Sequence, residues 1–238
     1  MGKRSFVLLW LGIKLVFGSL MPPLSLVICL SMIPVALTGI TGGLGRLDSL
    51  LTASLEGSNA CPTLDIVVEG ISLITPLVEV GWTTSQACAG WMGSDGRASE
   101  SARALTASLA MTWAISLGLK YSIRRERPTR SYQPRLWNTR ITPSFPSGHA
   151  ATSAAFATLV SRRHPNLILP MLGYVFLSAY SQVYVGNHYL GDVVSGALLG
   201  MVVGKLVLIQ SKSNDTSQGR IGELAYPVFR IRISLGSR

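Results

Sequence analysis

Apolar residues in this sequence fall in long runs separated by short polar breaks, longer than strands or soluble amphipathic helices require. A helix that crosses a bilayer needs about 20 mostly apolar residues. Six stretches approach or exceed that length: 20–42 after an apolar lead-in at 5–19, then 66–90, 101–123, 147–163, 166–185 and 188–210. They predict an all-α fold, a polytopic membrane bundle of about six transmembrane helices over 1–210, followed by a basic C-terminal tail at 211–238. The fourth stretch is short and rich in Ala150, Ala151, Ser153, Ala154, Ala155 and Ala157, as expected where helices approach closely in lipid. Only Gly186-Asn187 separates the fifth from the sixth, which predicts antiparallel neighbours. Between the first two, Leu44, Leu47, Leu50, Leu51 and Leu55 recur at helical spacing and predict a short interfacial helix within 44–65. The stretch 124–146 has no apolar run and is the main extramembrane loop.

Composition sharpens this picture. The chain has 238 residues, 48% hydrophobic and only 13% charged, about half the charge of an ordinary soluble domain. That excludes a disordered segment, a coiled coil and a disulfide-rich module. The formal net charge is +10, but the cations punctuate apolar segments rather than line a soluble face. Nucleic acid is therefore not the expected partner; the bilayer and a phosphorylated lipid are. Cys29, Cys61 and Cys88 have no metal-ligand spacing and read as small packing residues. The apolar start after Lys3-Arg4 resembles a signal peptide, but Lys14 interrupts it, so the segment is expected to be retained in a multi-pass cell-membrane protein.

A cytoplasmic N-terminus puts Lys3, Arg4, Arg97, Arg103, Arg162, Arg163 and the tail cations inside, as positive charge prefers. The loop 124–146 then lies on the extracytoplasmic face despite Arg124, Arg125, Arg127, Arg130, Arg135 and Arg140. Such an exception is better explained by a task for the cations than by topology.

Three clusters converge on that face. Six residues separate Lys120 from Arg127-Pro128, the loop ends in Pro146-Ser147-Gly148-His149, and Ser181-Gln182 is followed after five residues by His188 and after three more by Asp192. On a helix, residues 188 and 192 share a face, so the carboxylate accepts the Nδ1 hydrogen and Nε2 is presented as a nucleophile. Ser147-Gly148-His149 opening a helix offers free N–H groups to an oxyanion. Lys120 and Arg127 add a point charge and a planar bidentate donor, although either alone would more often be an interfacial anchor. Glu69 and Glu79 stand ten apart in an apolar span and are expected to pair with neighbouring helices.

Taken together, these spacings resemble the signature of the type 2 phosphatidic acid phosphatase superfamily, to which the vanadium haloperoxidases also belong. Its pattern is Lys-x6-Arg-Pro, Pro-Ser-Gly-His and Ser-Arg-x5-His-x3-Asp. The resemblance covers about 48–208, with the motifs in 120–192. It implies a membrane lipid phosphatase that needs neither metal nor other cofactor. By the same resemblance His188 attacks phosphorus to form a phosphohistidine, Asp192 orients it, and His149 protonates the leaving oxygen and then activates water. Lys120, Arg127, Ser147 and the Gly148 N–H hold the phosphoryl oxygens. Gln182 stands where the family has a second phosphate-binding arginine. Another loop arginine (Arg124, Arg125 or Arg130) replaces it, the substrate is less charged at the reacting phosphorus, or activity is low. A haloperoxidase is disfavoured because those relatives are soluble. A lipid phosphotransferase using the same site and a non-catalytic lipid-phosphate binding protein remain as alternatives.

Overall fold

The structure, a computed structural model, describes residues 42–93, 96–136 and 140–217. Among these residues there are six α-helices: α1 Gly42–Leu55, α2 Pro62–Gly93, α3 Gly96–Ile123, α4 Gly148–Arg163, α5 Ile168–Tyr184 and α6 Leu190–Ser217. A 3-10 turn, Pro165–Leu167, leads into α5. No strand occurs among the described residues. Three helices are long and apolar enough to cross a membrane: α3, the stretch Pro165–Tyr184, and the Leu190–Gln210 part of α6. The fold is a helical membrane bundle, and the outer face of α5 shows its lipid side through exposed Leu169, Leu172 and Phe176.

Local chemistry sets the helix ends. Pro62 opens α2 at the one place where a missing N–H costs nothing. α3 stops where Arg124 turns to φ +53°, its N–H bonded back to Lys120 O at 2.8 Å. Ser147 caps α4, its hydroxyl accepting from Ala150 N at 3.5 Å.

The short helix α4 is the hub, packed most closely on α6 and also against α2, α3 and α5. Gly196, Gly200 and Gly204 form a stripe along α6. A Cβ at each would fall 2.4 Å from Ser147 O, 1.9 Å from Ala151 O and 2.9 Å from Thr158 Cβ. The predicted small-residue face of α4 therefore meets glycines, and the two backbones nearly touch. Below that contact, Phe156, Leu159 and Val160 join Leu105 of α3, with Trp82 and Tyr174 packed around them.

Several expectations are refined. The first predicted span, 20–42, lies outside the described residues but for its last position, which opens α1; Cys29 and the tail beyond Ser217 also lie outside them. The interfacial helix ends at Leu55, well short of 65, where Glu56 turns away to bind the loop. α6 runs seven residues past the expected end at 210. Cys61 and Cys88 are free and exposed rather than packed inside. Glu79 does pair with neighbouring helices, accepting from Thr152 of α4 and Tyr174 of α5, each at 3.2 Å. Glu69 pairs with the loop instead, accepting from the Tyr132 hydroxyl and from the backbone N–H groups of Arg135 and Leu136 at 2.8 and 2.5 Å. A neighbouring pair, Asp65 and Arg135 at 3.0 Å, pins the same stretch of loop to α2.

Candidate active site

The Arg-rich loop, the start of α4 and the start of α6 come together at one end of the bundle, around His188. α6 begins only at Leu190, so His188 lies in the connection 185–189 rather than on a helix face shared with Asp192. The expected helical pairing is replaced by a turn: Gly186 takes φ +65°, and the N–H groups of Asn187 and His188 both donate to Gln182 O. His188 Nδ1 ends 3.7 Å from Asp192 Oδ2, too far for a hydrogen bond. Ser144 fills the gap, donating to Asp192 Oδ2 at 2.5 Å with its oxygen 3.4 Å from His188 Nδ1.

Asp192 is heavily engaged. Its Oδ2 also accepts from Tyr189 N at 3.1 Å, and its Oδ1 takes Arg125 Nη1 at 2.6 Å. Its backbone carbonyl accepts from Ser147 N at 3.0 Å, which ties the start of α4 to the start of α6. His188 is buried at 3% exposure. Burial pushes its pKa down to about 4, an effect that the Asp192 carboxylate opposes and the positive Lys120 and Arg127 reinforce. The imidazole is therefore neutral at physiological pH.

The cations are held by backbone carbonyls. Lys120 Nζ donates to Pro143 O at 2.8 Å and Ser144 O at 3.2 Å. Arg127 donates to Thr142 O and Asn187 O, both at 2.8 Å. Burial, with Arg140 nearby, lowers its pKa to about 10, so the guanidinium stays charged. Outside them an open cavity of about 460 Å³ is lined by Arg124, Arg125, Arg127, Arg140, Thr142 and Pro143, with Glu126 as its one carboxylate.

A scan of family models matches residues 101–215 to the PAP2 superfamily. Over that stretch the chain is similar to the PAP2 superfamily. Over 94 residues it is 37% identical to a decaprenylphosphoryl-5-phosphoribose phosphatase of Mycobacterium tuberculosis, found in two strains. That alignment takes in 40% of this chain and 52% of the relative, so the chain spans about half the length of the curated relatives it matches. Two solved structures share the fold. A transmembrane PAP2-type phosphatidylglycerolphosphate phosphatase from Bacillus subtilis superposes with TM-score 0.62 at 21% identity, covering 84% of this chain and 98% of that one. LpxE from Aquifex aeolicus gives TM-score 0.54 at 22% identity, covering 69% and 93%.

Against the PAP2 motifs, the structure brings Lys120, Arg127, Ser147, His188 and Asp192 into one connected cluster. Gly148 opens α4 with no atom within 4 Å of a Cβ placed on it, leaving room beside the helix N-terminus. His149 follows, its ring against the backbone carbonyl of Ser72 on α2. Gln182 is 1% exposed. Its amide nitrogen donates to Ser72 Oγ at 2.7 Å and its oxygen accepts from Asn187 at 3.2 Å. At the PAP2 arginine position this chain therefore builds a neutral bridge between α2 and the His188 turn.

Three participants escape the motifs. Arg125 appears in the sequence only as one loop arginine among several, and Ser144 and Ser72 give no signal. Their partners lie 48, 67 or 110 residues away in the chain.

Proposed function

We propose that this chain is an integral-membrane phosphatase that hydrolyses a lipid phosphate or polyprenyl pyrophosphate through a phosphohistidine on His188. The observation that carries the reading is the buried, neutral His188 set among Lys120, Arg127, Ser144 and Asp192 at one end of a PAP2-like domain. The matched relatives support a substrate whose phosphate hangs from a polyprenyl-linked or glycerolipid headgroup.

In this mechanism the phosphoryl group lies with its oxygens against Lys120, Arg127 and the free N–H groups at the start of α4. That arrangement stabilises the charge that spreads over them as the bond to the leaving oxygen breaks. His188 Nε2 supplies the electron pair and forms the N–P bond. His149 gives its proton to the leaving lipid oxygen, then takes one from the water that attacks phosphorus and frees His188. Asp192, with Ser144 beside it, favours the Nδ1–H tautomer that leaves Nε2 unprotonated. Lys120 and Arg127 supply the positive charge, and no metal ion enters the scheme. The cavity lined by four arginines gives an anionic headgroup an approach. The loop faces the extracytoplasmic side in this reading, and a cysteine introduced at Ser131 should react with impermeant reagents from that side.

The test is phosphate release by the detergent-purified protein from phosphatidate, phosphatidylglycerophosphate, a polyprenyl pyrophosphate and a polyprenylphosphoryl-pentose 5-phosphate, with His188→Ala alongside. Release that disappears in the variant, with 32P trapped on the wild-type protein during turnover, supports the reading. No release from a folded protein, or transfer only when an acceptor alcohol is added, sinks it in favour of a binding protein or a phosphotransferase.

A further inference from the structure

The PAP2 match begins at residue 101, yet a helix outside it reaches the reacting pair. Asp48 lies on α1 at 8% exposure. Its Oδ2 accepts from Arg125 Nη2 at 2.7 Å and its Oδ1 from the backbone N–H of Gly191 at 2.9 Å. The other terminal nitrogen of Arg125, Nη1, donates to Asp192 Oδ1 at 2.6 Å, and the guanidinium lies 4.0 Å over the Tyr189 ring. One turn along α1, Thr52 Oγ1 donates to Asp48 O at 2.6 Å and accepts from Leu190 N at 3.0 Å. α1 thus supplies acceptors for two N–H groups that the first turn of α6 leaves unpaired. A Cβ at Gly191 would stand 3.0 Å from Asp48 Oδ2, so the approach has no spare room.

We propose that Asp48 and Arg125 are positioning residues of the reaction, acting through Asp192. Arg125 is the fork between two carboxylates, and a planar guanidinium sharing its donors this way is fixed in angle as well as in place. Clamping Oδ1 keeps the Asp192 carboxylate from turning, so Oδ2 stays toward His188 Nδ1. Burial of the guanidinium works against its charge, but Asp192 and Asp48 more than offset this and raise its pKa, so the fork remains charged. Asp48 matters because it divides that charge. Without it, Arg125 is free to draw wholly onto Asp192 and to weaken the carboxylate's hold on the imidazole. Asp48 itself points at Arg125 and the α6 backbone, and binding of substrate should not register its loss.

The inference rests on His188 and Asp192 being the reacting pair, which the His188→Ala control tests on its own. Asp48→Asn and Arg125→Lys are compared with wild type for kcat, KM, melting temperature and the acid limb of the pH–rate profile. The groups facing His188 are Lys120, Arg127 and Asp192, so the limb reports directly on the charge at Asp192. The expected result is kcat lower by about tenfold or more, KM within about twofold, and a displaced acid limb, moved to lower pH in Asp48→Asn. A raised KM with kcat intact, unchanged kinetics, or a loss of kcat with the limb unmoved would overturn the proposal. If Asp48→Asn fails to accumulate as folded protein, Arg125→Lys, which keeps the charge but reaches one carboxylate, carries the same test.

Discussion

Gly200→Ala should be among the most damaging single-methyl changes in the molecule. The added Cβ would stand 1.9 Å from Ala151 O, 2.8 Å from Ala151 C and 2.9 Å from Ala155 N, all of them backbone atoms of α4. Since real Cβ atoms keep at least 3.0 Å, α6 and α4 must part by about 1.1 Å. Overpacking of this kind costs roughly 1–3 kcal/mol, against a gain of about 1 kcal/mol from alanine's better helix propensity. The functional cost is larger, because α4 carries Ser147–His149 at its start and α6 carries Asp192 at its own. A displacement of about 1 Å in a catalytic constellation can cost on the order of 100-fold in rate. Thermal melting in detergent and kcat/KM should be read together on a graded set. Gly81→Ala, with nothing within 4 Å, should be neutral or stabilising; Gly204→Ala, which meets the movable Thr158 side chain first, intermediate; Gly200→Ala worst in both assays. The reasoning fails if Gly200→Ala melts and turns over like Gly81→Ala.

The same geometry sets further expectations. His188 titrates near pH 4 in the folded chain and about 6.5 when unfolded. Between these values the unfolded chain binds the extra proton, so stability is full above about 6.5 and falls by roughly 3 kcal/mol as pH drops toward 4. Denaturant titrations should show this slope and His188→Gln should remove it, while the acid limb of kcat/KM should lie nearer pH 5 or below than 6.5. Arg127→Lys cannot span Thr142 O and Asn187 O with one ammonium, and kcat/KM for phosphate release should fall by about 100-fold; retention within fivefold would refute that role. Tyr132→Phe removes the hydroxyl donor to buried Glu69 and should lower stability by about 1.5–3 kcal/mol by thermal melting, with KM unchanged. Gln182→Arg forces a cation into a 1%-exposed position bridged to Ser72, so melting temperature should drop with no gain in turnover; a tenfold gain would show that the neutral bridge is dispensable.

Much of the bundle can be read from the sequence because apolar runs of bilayer length have few alternative structures. The spans 101–123 and 147–163 differ from α3 and α4 by a few residues at most. The motif residues are legible for a different reason: their spacing is short and ordered, so local chain geometry carries it. Whatever depends on distant partners stays hidden. Asp48 reads as an ordinary polar position on an amphipathic helix, and only the fold brings it to a guanidinium 77 residues further along the chain. The four-residue spacing of His188 and Asp192 fits a helix, which is why a helix is expected there. The positive φ of Gly186 ends that periodicity, and a local-spacing argument does not include it.

Pro76 lies in the middle of α2 and has no N–H to give to the carbonyl four residues before it, which belongs to Ser72. That carbonyl is the one that His149 meets, while the Ser72 hydroxyl receives Gln182. The carbonyl that the proline leaves without an N–H donor thus faces the imidazole of His149. In the proposed mechanism, turning His149 toward a leaving oxygen gives up this contact. If His149 is the acid of the proposed mechanism, the gap that Pro76 leaves in the α2 ladder gives its ring a place to rest between turnovers.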